Sequence, residues 1–207
     1  MKKLLLSLLA LTAMGFTQVS AQNIFYGTGV IVGQAHSTPK TFRGFPGNIT
    51  QGSESFLMVG FGIPVDAQVI PLANEMSVGF HIEPTLAYTI PGLSSIESDV
   101  LLLQSPLIAQ FNYGNFSSAN SLAELGFGLG LGFMAQYQST SRANSDILAE
   151  GNPLMFLPTA QASFRFWGPN NKLFAVKLSH TFGSETFNGV TSNRGCTFLS
   201  VSRYINY

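Results

Sequence analysis

His81, Glu83 and Lys177 are the side chains of this sequence with the most obvious chemistry: an imidazole, a carboxylate and an amine. His81 and Glu83 are two residues apart, so in an extended strand they share one face. Lys177 has the same facing in a later strand and can meet Glu83 across a narrow interior, with His81 close by. Such a group reads either as a catalytic or proton-linked site or as a polar plug that fixes the interior, since buried charges need partners. Glu124 and Arg165 also face inward by alternation, near the same end of neighbouring strands, and are expected to pair. Together His81, Glu83, Glu124, Arg165 and Lys177 form the expected polar network of the lumen. A second cluster is His180 with Ser179, Thr181 and Glu185, which hints at a lipid hydrolase on an outer wall. Hydroxyl–imidazole–carboxylate catalysis needs the hydroxyl within hydrogen-bond reach of the ring. Ser179 and Thr181 alternate to the opposite face from His180, so no catalytic residue is assigned. Cys196 stands alone, without His or Cys at metal-ligand spacing. No phosphate-binding glycine loop precedes a helix. Neither a metal nor a cofactor is expected.

The elements that must position these groups are strands. Residues 125–137 read LGFGLGLGFMAQY. Leu125, Phe127, Leu129, Leu131, Phe133, Ala135 and Tyr137 lie on one face, and Gly126, Gly128, Gly130, Gly132, Met134 and Gln136 on the other. Met76–Ile90 repeats the pattern, with Met76, Val78, Phe80, Ile82, Pro84, Leu86, Tyr88 and Ile90 opposite Ser77, Gly79, His81, Glu83, Thr85, Ala87 and Thr89. Eight strands are predicted: Ile24–Gly33, Ser55–Gln68, Met76–Ile90, Val100–Tyr113, Leu122–Gln138, Met155–Trp167, Leu173–Gly183 and Gly195–Tyr207. Their connections alternate between long (34–54, 91–99, 139–154, 184–194) and short (69–75, 114–121, 168–172). Outer-membrane barrels have even strand numbers, short periplasmic turns and longer outside loops. The expected fold is therefore an all-β, eight-stranded, antiparallel, up-and-down transmembrane barrel with both termini periplasmic. Tyr88, Tyr113, Tyr137 and Tyr207 face outward near strand ends, as interfacial girdles require. Arg203 faces outward close to the C-terminus, where it can snorkel to headgroups.

The N-terminus and composition agree. Lys2 and Lys3, the apolar run from Leu4 and the small-residue site Val19-Ser20-Ala21 read as a secretory signal, residues 1–21, with the barrel domain at 22–207. Charged residues are 10 % of the chain, against roughly 25 % in soluble domains. No basic patch points to nucleic acid. One cysteine leaves no internal disulfide. Only helices and closed barrels satisfy every backbone group in hydrocarbon, and beyond the signal no apolar run is long enough for a spanning helix.

From Val100 onward the chain resembles the small outer-membrane β-barrels of the porin-family or OmpA-like type. Leu103-Gln104-Ser105-Pro106-Leu107-Ile108-Ala109-Gln110 is similar to that family's mid-barrel strand, the glycine-alternating strand follows in order, and the chain ends on an aromatic residue after alternating Leu199, Val201 and Ile205. Arg203 interrupts that series, and Tyr207 stands where Phe is more usual. The resemblance implies a barrel in the outer membrane of a double-membrane bacterium and no single activity.

The expected role is structural, adhesive or interactive, with outer-membrane lipid and lipopolysaccharide as partners and an envelope protein engaged through the outside loops. The first loop holds Phe42, Arg43 and Phe45, which either form a contact patch or fold over the barrel mouth. The alternatives are a membrane-embedded lipid-modifying enzyme and a soluble, lipocalin-like carrier with its apolar faces inward.

Overall fold

The structure, a computed structural model, describes residues 24–36, 55–90, 98–117, 121–142, 154–187, 190–193 and 195–205. Its strands are β1 (Ile24–His36), β2 (Ser55–Gly62), β3 (Val65–Ala73), β4 (Met76–Ile82), β5 (Thr85–Thr89), β6 (Ser98–Gly114), β7 (Leu125–Arg142), β8 (Leu154–Gly168), β9 (Lys172–Thr181), β10 (Ser184–Phe187), β11 (Val190–Asn193) and β12 (Cys196–Tyr204). All but β10 and β11 lie in one antiparallel sheet, and β1 pairs with β12 to close it into a ring. β2 and β3 are two halves of one stave, and so are β4 and β5, so the ring has eight staves.

Prolines cause both interruptions. Pro64 and Pro84 have no N–H to give to a neighbour, so the ladder breaks and the stave bends. Their carbonyls still accept, Pro64 from Gly27 N and Pro84 from Ile63 N, each at 3.0 Å. The ring therefore stays hydrogen-bonded across both breaks.

Several strands outrun their predicted ends. β3 continues past Gln68 to Ala73 through irregular register at Gln68/Ile70 and Pro71/Ala73, which hides its alternation. Ala73 pairs with Met76, leaving only Asn74 and Glu75 as the turn. The Pro169–Asn171 turn joins β8 to β9, with Asn170 at φ 59° and Asn171 at φ 52°, a conformation asparagine tolerates. β10 and β11 make a short hairpin inside the connection read as a loop, 184–194.

Faces follow the alternation. Leu129, Leu131 and Phe133 project outward, and Phe80, Leu86 and Val201 are exposed in the same way. Glu83 and Lys177 are buried. This is the reverse of a soluble carrier, whose apolar side chains would line the interior. Among the girdle tyrosines, Tyr88 and Tyr113 are exposed next to the last residues of β5 and β6, Tyr137 is exposed inside β7, which runs on to Arg142, and Tyr207 lies outside the described residues. No described helix is long and apolar enough to cross a membrane.

The inward glycines allow close approach of neighbouring staves. A Cβ on Gly132 would collide with the Leu107 carbonyl oxygen and lie 2.8 Å from the Ile108 Cα. Both are backbone atoms of β6, so relief requires parting the staves. Gly132→Val should reduce the yield of heat-modifiable refolded barrel by most of its value, whereas Leu131→Val on the outward face should leave it nearly unchanged.

Candidate functional site: the polar layer of the lumen

The lumen has three layers. Near the end bearing the long loops, Ile31, Met58, Leu102 and Phe198 belong to one buried apolar cluster. At the end bearing the short turns, Phe25, Phe116, Leu173 and Tyr204 form a second. Between them lies a layer of buried ionisable and amide side chains.

His81, projecting from β4, stands between two carboxylates. Its Nδ1 is 3.0 Å from Asp66 Oδ1, and its Nε2 is 3.3 Å from Glu83 Oε2. Lys177 Nζ reaches across from β9 to Glu83 Oε2 at 2.8 Å. Ser202 Oγ donates to Glu83 Oε1 at 3.3 Å, and the Tyr204 hydroxyl donates to Asp66 Oδ2. A run of close polar contacts thus goes Tyr204–Asp66–His81–Glu83–Lys177. The Tyr204–Asp66–His81 part is hydrogen-bonded, whereas His81 Nε2 and Lys177 Nζ approach Glu83 as ion-pair partners without a hydrogen bond.

Arg165 joins the layer from β8. It donates through Nη1 to Asn112 Oδ1 at 2.8 Å, its Nη2 lies 3.9 Å from Asp66 Oδ1, and its guanidinium carbon is 4.5 Å above the Phe116 ring. Asn112 in turn donates to Gln68 Oε1 at 2.8 Å, which also accepts from Ser77 Oγ at 2.6 Å. Gln110 donates to Asn112 Oδ1 and accepts from Gln161 Nε2 at 3.2 Å. The two carboxylates Asp66 and Glu83 match the two cations Arg165 and Lys177 in charge, and each cation has a carboxylate within 4 Å.

The expected Glu124–Arg165 pair does not form. Glu124 precedes the first residue of β7, its side chain is exposed, and its backbone carbonyl accepts from Asn115 Nδ2 at 2.9 Å. Arg165 turns into the lumen instead because Gly126, opposite it on β7, and Gly128, opposite the neighbouring inward Ser163, leave space. A Cβ on Gly128 would come within 3.0 Å of Arg165 Nη2. Glu124 is therefore no member of the network, and Asp66, Asn112 and Tyr204 are members that sequence reasoning did not name. Asp66 shares its facing with Gly60, Gly62 and Gln68, a signal carried across the break at Pro64.

Two other sequence candidates fall differently. Phe42, Arg43 and Phe45 lie outside the described residues. His180 is exposed on the outer wall, and its Nδ1 is 2.7 Å from Thr197 Oγ1 on β12. The hydroxyl partner sought in Ser179 or Thr181 is thus supplied across the strand pair, while Thr181 turns inward to Cys196. No described group of His, Cys, Asp and Glu has the arrangement of a metal site.

No family model matches the chain, and no curated protein matches it. Solved structures do. The crystal structure of Neisserial surface protein A superposes with a TM-score of 0.50 at 10 % identity, over 88 % of this chain and 97 % of that one. The fold is that of the small outer-membrane β-barrels. The barrel also aligns with Ail of Yersinia pestis, solved in complex with the heparin analogue sucrose octasulfate (TM-score 0.43, 11 % identity, 88 % of this chain and 98 % of that one). OprG of Pseudomonas aeruginosa gives 0.37 at 13 % identity, over 89 % of this barrel and 95 % of that chain.

Proposed function

We propose that this chain is an integral outer-membrane barrel, exported by a cleaved signal over residues 1–21, with both termini periplasmic and a lumen closed to solutes. Its role is structural, adhesive or interactive, exercised through the long loops on the outside, with lipopolysaccharide and an envelope protein as the expected contacts. The observation that carries this reading is the pairing of an apolar exterior with buried ionised side chains. An eight-stranded ring is just wide enough to be filled by side chains. The Glu83–Lys177 contact spans it between two apolar layers.

Reconstitution in planar bilayers tests the closed lumen. Purified barrel should migrate heat-modifiably on gels, insert, and give no conductance steps above the protein-free membrane. Regular ion-conducting steps would overturn it. On intact cells, added protease should cut within 37–54 or 143–153 while leaving the 169–171 turn whole, and cleavage only at the short turns would reverse the orientation. Replacing Phe42, Arg43 and Phe45 together by Ala, Gln and Ala should lower retention of the detergent-solubilised barrel on immobilised lipopolysaccharide at least threefold without altering its heat-modifiability. Unchanged retention would remove this patch from the contact.

A second reading, a lipid-modifying enzyme, is favoured by the His180–Thr197 pair alone. It requires acyl chains to be released from lipopolysaccharide by the refolded barrel and not by its Thr197→Val variant.

A further inference from the structure

The two apolar clusters that bound the polar layer are built differently. The loop-side cluster is made of strand residues alone. The turn-side cluster takes one member from a connection, Phe116, two residues past the end of β6. To reach it the chain folds back into the mouth of the ring. Gly114 takes φ 78°, Asn115 N donates to Leu125 O at 2.9 Å, and Ser117 N donates to Gly114 O at 3.1 Å. Asn115, Phe116 and Ser117 are all buried. Space for the fold-back comes from β7, where a Cβ on Gly126 would collide with Asn115 O and Oδ1. The Phe116 ring then lies 4.4 Å from that of Phe25 and 4.7 Å from that of Tyr204, with the Arg165 guanidinium 4.5 Å from its centre. It therefore stands directly against the polar layer.

This position is costly. Phe116 has φ 77°, in the left-handed region where a bulky side chain crowds its own backbone. Asn115 Oδ1 and Ser117 Oγ are buried with no hydrogen-bond partner among the described residues, although buried polar groups are normally paired. Leaving the mouth would relieve the backbone and give both oxygens to water. Staying keeps the ring out of water and holds its two aromatic contacts and its cation. The opposing terms are of similar size, which is the condition for an element with two populated positions.

We propose that Phe116 is a movable stopper. The segment Gly114–Ser117, hinged at Gly114, swings the ring out of the turn-side mouth and opens the polar layer to water and small solutes from that end. The loop-side cluster stays in place, so nothing passes through. The inference rests on the closed-lumen reading and adds to it a gate at one end.

A thiol placed behind the ring tests it. Cys196→Ser and Ser202→Cys together leave one cysteine on the lumen wall, two residues inward of Tyr204. The folded, heat-modifiable barrel is treated in detergent with methyl methanethiosulfonate, and labelling is followed by mass. With the wild-type turn, labelling should be slow but measurable. Phe116→Gly removes the ring and accepts the left-handed backbone, so labelling should be at least tenfold faster. Ser117→Ala removes an oxygen that lacks a partner only in the closed position, so labelling should be at least threefold slower. A thiol that never reacts behind the wild-type turn, or one that reacts equally with and without the Ser117 hydroxyl, makes Phe116 fixed packing and overturns the inference. An unchanged rate in Phe116→Gly overturns it as well. Should that variant not reach the heat-modifiable form, the Ser117→Ala comparison decides alone. Conductance steps from the wild-type barrel would sink the closed lumen and the stopper together, whereas a silent barrel with an unresponsive thiol removes only the stopper.

Discussion

Lys177→Met should lower the unfolding free energy of the barrel by about 3–5 kcal/mol, the usual consequence of removing one partner of a buried ion pair. Glu83 would keep the His81 and Ser202 contacts but lose the cation at 2.8 Å. The loss is of balance more than of contact, because an uncompensated carboxylate stays buried among low-dielectric walls. Adding Glu83→Gln to the same chain removes that charge as well. The double variant should therefore recover much of the difference. Urea titration of the folded, heat-modifiable form in lipid vesicles measures all three proteins. A single variant as stable as wild type would mean that the lumen is hydrated enough to solvate Glu83. A double variant no better than the single would mean that the uncompensated charge of Glu83 is not the source of the loss.

Leu129→Arg should cost about 2–4 kcal/mol, the penalty for a cation near mid-height on a lipid-facing wall. Leu129 is 65 % exposed and central in the β7 band, with Phe127 and Leu131 as its outward neighbours. An arginine there is too far from either headgroup layer to reach water without deforming the membrane. The same substitution at Tyr137, at the loop end of that band, should cost no more than about 1 kcal/mol because the penalty fades towards the interface. The gradient separates a lipid-facing surface from an aqueous one, on which the two positions would differ little.

Much of the wall was legible in the sequence because period-two alternation is a local property. Each residue of 125–137 declares its face by its immediate neighbours, and the inward placing of His81, Glu83, Arg165 and Lys177 follows from that parity alone. Partner choice is another matter. It depends on how far each stave slides against the next, which no single strand reveals. Proximity to strand ends alone matches Arg165 to Glu124. The actual register sets it opposite Gly126, and the missing side chains there open its path to Asn112 and Asp66. Asp66 itself was obscured by Phe56 and Met58, which give the inner face of its stave an apolar look, and by the break at Pro64. The Thr197 contact of His180 likewise needs the β9–β12 pairing before it can be seen.

The joining of β1 to β12 carries a consequence for biogenesis. The polar layer draws on β3, β4, β6, β8, β9 and β12, so its members span residues 66 to 204. Contacts so distant along the chain imply slow folding. A nascent polypeptide lacking only its final strand would carry two unsatisfied sheet edges, and neither Asp66 nor Glu83 would have its partner from that strand. Arrival of β12 therefore completes the sheet and the polar layer in one event.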